Sequence, residues 1–241
     1  MLRRELLHKE ISRRLSRRLG LTITVGLAAG LLLSLGVIAL FAKIVEDVVE
    51  SESRWFDETV LFWINDNLPS WLYEPMLFVT ALGYYWVVLP LLAVAVNVCY
   101  RQRRQIAATL LIVATVGSVV VSTTLKDVLQ RTRPELFDSG YTASGYSFPS
   151  GHATIAVGFY GTLTLLVAWR LRGFWRWTTA AAGAILVLLI SFSRLYLGVH
   201  YPTDVLAGFL AALLWVSFVG LCYFLWRTFR KRSSGDIQEE D

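Results

Sequence analysis

Apolar stretches long enough to cross a bilayer recur along this chain, near 20–44, 72–99, 106–125, 152–169, 177–193 and 204–226. A helix needs about 20 apolar residues to span ~30 Å of hydrocarbon, and within lipid the backbone must satisfy its own polar groups. The expected fold is therefore all-α, an integral membrane bundle of six transmembrane helices. Hydrophobic residues make up 55% of the chain, a share that calls for a lipid solvent rather than a water-soluble globule.

Charge placement sets the expected topology. The leader (Arg3, Arg4, Lys9, Arg13, Arg14, Arg17, Arg18), the loops at Arg101 to Arg104 and Arg170 to Arg176, and the tail (Arg227, Arg230, Lys231, Arg232) hold 17 of the 23 basic residues. The opposite loops carry acids such as Glu46, Asp47, Asp57 and Asp66. By the positive-inside rule both termini face the cytoplasm. Topology thus accounts for the net charge of +5, and the basic balance does not point to nucleic acid.

Three regions follow: a basic cytoplasmic leader over 1–19, a six-helix domain over 20–228, and a short polar tail over 229–241 expected to be disordered. The first apolar segment is too long for a signal-peptide core and should stay as an anchor. Between the first two crossings, Phe56, Val60, Trp63, Ile64 and Leu68 form an apolar stripe opposed by Asp57, Glu58, Asn65 and Asp66, which predicts an interfacial amphipathic helix on the outer face. Cys99 and Cys222 fall at helix ends assigned to the cytoplasm and are expected to be free thiols.

Against this apolar background one constellation stands out. Lys126 ends the third crossing and Arg133 follows in the outer loop, Pro149-Ser150-Gly151-His152 opens the fourth, Ser193 and Arg194 close the fifth, and His200 and Asp204 bracket the start of the sixth. All lie at the outer membrane boundary, so bundling helices 3 to 6 would bring them to one depth. A phosphate monoester carries close to two negative charges and asks for donors from several directions, which Lys126, Arg133 and Arg194 would supply. Ser150 suits a helix N-cap, and Gly151 leaves the backbone open to an anion at that N-terminus.

His200 and Asp204 are four apart, with Pro202 between them where a first helical turn tolerates proline. An aspartate there would fix the imidazole tautomer and leave Nε2 as a nucleophile. His152 would then give a proton to the leaving oxygen as general acid and afterwards activate water as base. With three cations offsetting the phosphoryl charge and no acidic cluster of the kind magnesium needs, neither a metal nor another cofactor is expected.

Together these residues resemble the type 2 phosphatidic acid phosphatase superfamily of membrane lipid phosphatases, whose motifs read KxxxxxxRP, PSGH and SRxxxxxHxxxD. All three occur without a substitution, over about 80 residues. The resemblance implies phosphohistidine formation at His200 oriented by Asp204, protonation of the leaving group by His152, and phosphate binding by Lys126, Arg133, Ser150, Gly151 and Arg194. It also implies a metal-independent enzyme of the plasma (inner) membrane with an outward-facing site. Its substrate would be phosphatidate, phosphatidylglycerol phosphate or undecaprenyl diphosphate.

A phosphotransferase that passes the phosphoryl group to a lipid acceptor uses the same residues. A non-catalytic channel or carrier that merely recognises phosphate would need the cations, but not a nucleophile with its orienting acid. Soluble vanadate haloperoxidases share the motifs, and six crossings disfavour that chemistry here.

Overall fold

The computed structural model describes residues 30, 32 and 34–236, with side chains as far as 230. The expected leader over 1–19, the start of the first crossing and the end of the tail from 237 lie outside the described residues. The chain divides into two units, Met1–Ala42 and Lys43–Asp241. In the first, residues 34–42 are helical. The site lies wholly in the second.

Every regular element among the described residues is helical. The second unit opens with α1 (43–49) and continues with α2 (Arg54–Asn67), α3 (Tyr73–Ala81), α4 (Tyr85–Arg101), α5 (Gln105–Leu129), α6 (Gly151–Ala168), α7 (Gly173–Tyr196) and α8 (Pro202–Asp236). By length and composition α5 to α8 can each cross a membrane. A fifth span results if Ser70–Ala81 and Tyr85–Arg101, bent by 48° at their junction, are taken together.

The stretch 72–99, expected as a single crossing, is thus broken at Leu82 to Tyr84. The backbone there leaves carbonyls outside the helical ladder, and the hydroxyl of Tyr160 donates to the Leu82 oxygen at 2.8 Å. The break also brings Gly83 against a site residue: a methyl group added to it would lie 2.5 Å from Cδ2 of His152. At the other end of the chain α8 continues as helix through Asp236, past the crossing expected to stop by 228, so 229–236 are helical where disorder was expected.

The least hydropathic of the four spans, α6, is also the most buried. Half of its apolar window is enclosed, against about a third for α5 and α8. It is the central helix and packs on α5, α7 and α8. Its middle, Ala156–Gly161, widens into a π-helical turn whose residues Ala156 to Tyr160 are all buried, and Phe159 joins Val88, Leu111 and Ile190 in the core. The surrounding helices turn large apolar side chains outward, among them Val120, Leu188 and Phe218, as lipid-facing surfaces do. Where helices meet, small residues let them approach. Gly208 of α8 lies so near the α6 N-terminus that a Cβ would stand 2.6 Å from the Ser150 carbonyl.

The amphipathic segment before the bundle is the helix α2, and one acid of its polar side, Asp57, turns inward. Asp57, Leu61 and Ile64 are buried, whereas Trp55, Phe56 and Trp63 are exposed. Asp57 can turn inward because Arg131 and Thr203 satisfy its carboxylate there, which removes the penalty of burying a lone charge.

Candidate active site

Four helix ends deliver the motif residues. The α5 helix stops where Gln130 takes a left-handed conformation (φ 48°) and donates its N–H to the Lys126 carbonyl at 3.0 Å. That reversal sends Arg131 and Arg133 back across the bundle. Ser150 caps α6, its hydroxyl accepting weakly from the Ala153 N–H at 3.5 Å, while its own N–H donates to the Asp204 carbonyl at 2.9 Å. This second bond joins the starts of α6 and α8. At the end of α7 the chain turns through Gly198 (φ +65°) and reaches His200 just before Pro202 opens α8.

The expected convergence is present. His200 is 2% exposed and Asp204 fully buried, and Nδ1 of His200 lies 3.4 Å from Oδ2 of Asp204. At that length and alignment Nδ1 has no formed hydrogen bond, so the pair is juxtaposed rather than locked. Asp204 Oδ2 accepts instead from the Tyr201 N–H at 2.9 Å. On the other side of the ring, Nη1 of Arg133 lies 3.1 Å from Nε2. A guanidinium has no acceptor, so this contact makes Nε2 the unprotonated nitrogen and places the proton on Nδ1. Burial, followed by the positive charges of Arg194, Arg133 and Lys126, holds the His200 pKa well below its ordinary 6.5. The imidazole is therefore neutral, with its lone pair on Nε2.

The three cations hold no carboxylate. None of Lys126, Arg133 and Arg194 takes part in an ion pair among the described residues. Lys126 Nζ donates to the Tyr146 carbonyl at 2.5 Å. Arg133 spreads its donors over Gly145, Ser144 and Val199 carbonyls at 2.7–2.9 Å. Arg194 is 2% exposed, gives Nη1 to Thr80 Oγ1 at 2.5 Å, and leaves its buried Nε without a partner. Nε2 of His152 is likewise buried and unpartnered, with Tyr84 edge-on to the ring at 4.7 Å. A Cβ on Gly151 would be 3.9 Å from Lys126 Cε, so the open backbone faces the lysine. Unpaired cations and orphaned donors around two imidazoles suit one occupant, a multiply charged anion.

Several neighbours are not foretold by the motifs. Thr80 and Tyr141 contact Arg194, and the Tyr141 hydroxyl is hydrogen-bonded to that of Tyr84. Arg131 reaches Asp204 from behind, and Asp57 holds the other side of that guanidinium. The only hint in sequence is that Asp57 and Arg131 are charges placed next to apolar or motif positions. Among the described residues no group of three His, Cys, Asp or Glu is placed to hold a metal ion.

Fold and site define an all-helical, multi-pass membrane protein with a cationic, two-histidine pocket at one end of the bundle. The chain belongs to the PAP2 superfamily, whose family model matches residues 107–231. It is 31% identical over 196 residues to an undecaprenyl-diphosphatase of Sulfolobus acidocaldarius, covering 79% of this chain and 88% of that one. It is 33% identical over 147 residues to phosphatidylglycerophosphatase B of Bacillus subtilis, covering 60% and 71%. The crystal structure of a transmembrane PAP2-type phosphatidylglycerolphosphate phosphatase from Bacillus subtilis superimposes with a TM-score of 0.72 at 25% identity, covering 78% of this chain and 94% of that one.

Proposed function

We propose that this protein removes the terminal phosphate of a membrane lipid phosphate or isoprenoid diphosphate through a phosphohistidine intermediate. It is a phosphatase acting on lipid phosphates, as its superfamily and relatives indicate. The observation that carries the mechanism is the cluster of Lys126, Arg133 and Arg194, buried or half-buried without a carboxylate, around a neutral His200.

In the reaction, phosphoryl oxygens take up the donors of the three cations, the Ser150 hydroxyl and the Gly151 N–H. The Nε2 lone pair of His200 attacks phosphorus as the bond to the lipid oxygen breaks. That oxygen leaves with the bonding pair and takes a proton from His152. Nδ1–H closes onto Asp204 as the ring gains positive charge, which shortens the 3.4 Å contact. His152, now neutral, removes a proton from water. The water oxygen attacks phosphorus, the P–N electron pair returns to Nε2, and inorganic phosphate departs. Three cations carry the transition-state charge without a metal.

The relatives' names support an isoprenoid diphosphate or a glycerophospholipid phosphate as substrate. Four spans, or five with the bent pair, and the further apolar stretch near 20–44 support six crossings, and the basic residues of the leader, loops and tail support both termini in the cytoplasm and the site on the outer face of a plasma membrane protein. The exposed Trp55, Phe56 and Trp63 of α2 support its lying at the outer interface. The test is phosphate release by the purified protein from phosphatidate, phosphatidylglycerol phosphate and undecaprenyl diphosphate. His200→Ala should abolish release and EDTA should leave it unchanged. Equal release by His200→Ala sinks the nucleophile, and loss in EDTA restored by magnesium sinks the metal-free cage.

A further inference from the structure

Arg131 lies inside the first motif but at none of its fixed positions, and its guanidinium is among the most fully engaged groups near the site. Nη1 donates to Asp204 Oδ1 at 2.6 Å and to Thr203 Oγ1 at 2.8 Å, while Nη2 donates to Asp57 Oδ2 at 2.7 Å. Asp57 in turn accepts from the Thr203 N–H at 3.0 Å and from its hydroxyl at 2.7 Å. The ring of Tyr201 lies under the guanidinium, 4.2 Å from ring centroid to Cζ. Both carboxylates are fully buried. Burial weighs against the charge on Arg131, yet Asp204 and Asp57 raise its pKa, so the guanidinium stays charged between the two carboxylates.

This arrangement reaches from α2, which no motif touches, to the carboxylate that faces His200. Asp204 has two oxygens. Oδ1 is tied to Arg131, and Oδ2 to the Tyr201 N–H and the side of His200 Nδ1. Holding one oxygen fixes the rotation of the other. We propose that Arg131, braced by Asp57 of α2, is a positioning residue for the phosphoryl transfer: it aims Asp204 Oδ2 at the His200 ring and offsets the carboxylate's charge so that the proton stays on Nδ1. The inference rests on the reading of His200 as nucleophile. It makes α2 part of the machinery through Asp57, which holds Arg131 and Thr203 rather than the His200 ring.

The decisive variant is Asp57→Asn in the full chain, assayed in lipid–detergent micelles containing phosphatidate. The amide oxygen still accepts from the Thr203 N–H, but an N–H now faces Arg131 and pushes it from Asp204. The turnover number should fall between about tenfold and a hundredfold, with KM within about twofold, the signature of lost transition-state rather than ground-state binding. The acid limb of kcat/KM should move to higher pH. More of the Asp204 charge then acts on His200, while Lys126, Arg133, Arg194 and His152 face it unchanged. Arg131→Lys keeps the charge but loses the fork, so kcat should fall while the acid limb stays in place. Wild-type kcat in either variant, or a loss in Asp57→Asn with no shift of the limb, overturns the proposal while His200→Ala remains inactive. Activity in His200→Ala overturns the nucleophile assignment itself, and the two failures are thereby distinct.

Discussion

Nη1 of Arg133 stands 3.1 Å from Nε2 of His200, so at rest a guanidinium N–H covers the lone pair that must reach phosphorus. An arriving phosphoryl group separates the two by offering Arg133 a charged acceptor in place of a neutral one, and charge-assisted bonds are roughly twice as strong. In the proposed mechanism, substrate binding and uncapping of the nucleophile are therefore one event.

Arg133→Lys tests that coupling. A lysine reaches one partner where the arginine serves the Ser144, Gly145 and Val199 carbonyls as well as the imidazole. Each lost charged bond costs about 1.5–3 kcal/mol. Steady-state kinetics should show kcat/KM reduced by at least about tenfold, through both kcat and KM.

His152 is assigned to the leaving group, so its loss should depend on what leaves. His152→Asn should lower turnover of an alkyl phosphate by roughly 10²–10⁴. An aryl phosphate, whose oxygen departs without help, should suffer much less in formation of the acid-labile phosphohistidine. Equal losses on both substrates would remove His152 from this step.

The pH profile follows from the depressed pKa of His200. Burial and the charges of Arg194, Arg133 and Lys126 keep the imidazole neutral well below 6.5. Nucleophilic Nε2 therefore persists in mildly acid solution and is lost only as pH falls through the lowered value. The acid limb of kcat/KM for the wild-type protein should lie below pH 6.5. The unfolded chain binds this proton first, so stability should also decline as pH drops below 6.5.

Gly208→Ala should destabilise the protein without touching substrate. Its Cβ would stand 2.6 Å from a backbone carbonyl, that of Ser150, which cannot rotate away. Overpacking of this kind costs about 1–3 kcal/mol. A lower Tm is expected, measurable by the temperature at which the detergent-solubilised protein loses its helical circular dichroism.

How far sequence alone reaches is clear from particular residues. Lys126, Arg133, His152, Arg194, His200 and Asp204 could be foreseen as neighbours, because each lies at or just beyond the end of an expected crossing and carries chemistry that apolar surroundings do not excuse. The partnership of Asp57 with Arg131 could not, since 74 positions separate them and an acid on an amphipathic helix normally faces water. The same tertiary partners draw one acid of α2, Asp57, inward while Asn65 and Asp66 of that face stay exposed. The break at Gly83 escaped notice because hydropathy averages over a window in which two or three non-helical residues weigh little. Those residues are decided by contact with His152 and Tyr160, which hydropathy does not encode.

The carbonyls of Ser144, Gly145 and Tyr146 rest directly on Arg133 and Lys126. The segment between the first two motifs consequently occupies the donors proposed to receive the anion. Grafting this stretch from another superfamily member to change lipid preference would alter how the terminal phosphate is received, not merely which tail is tolerated. Engineering of substrate range in this scaffold has to treat 135–147 and the two cations beneath it as a single exchangeable part.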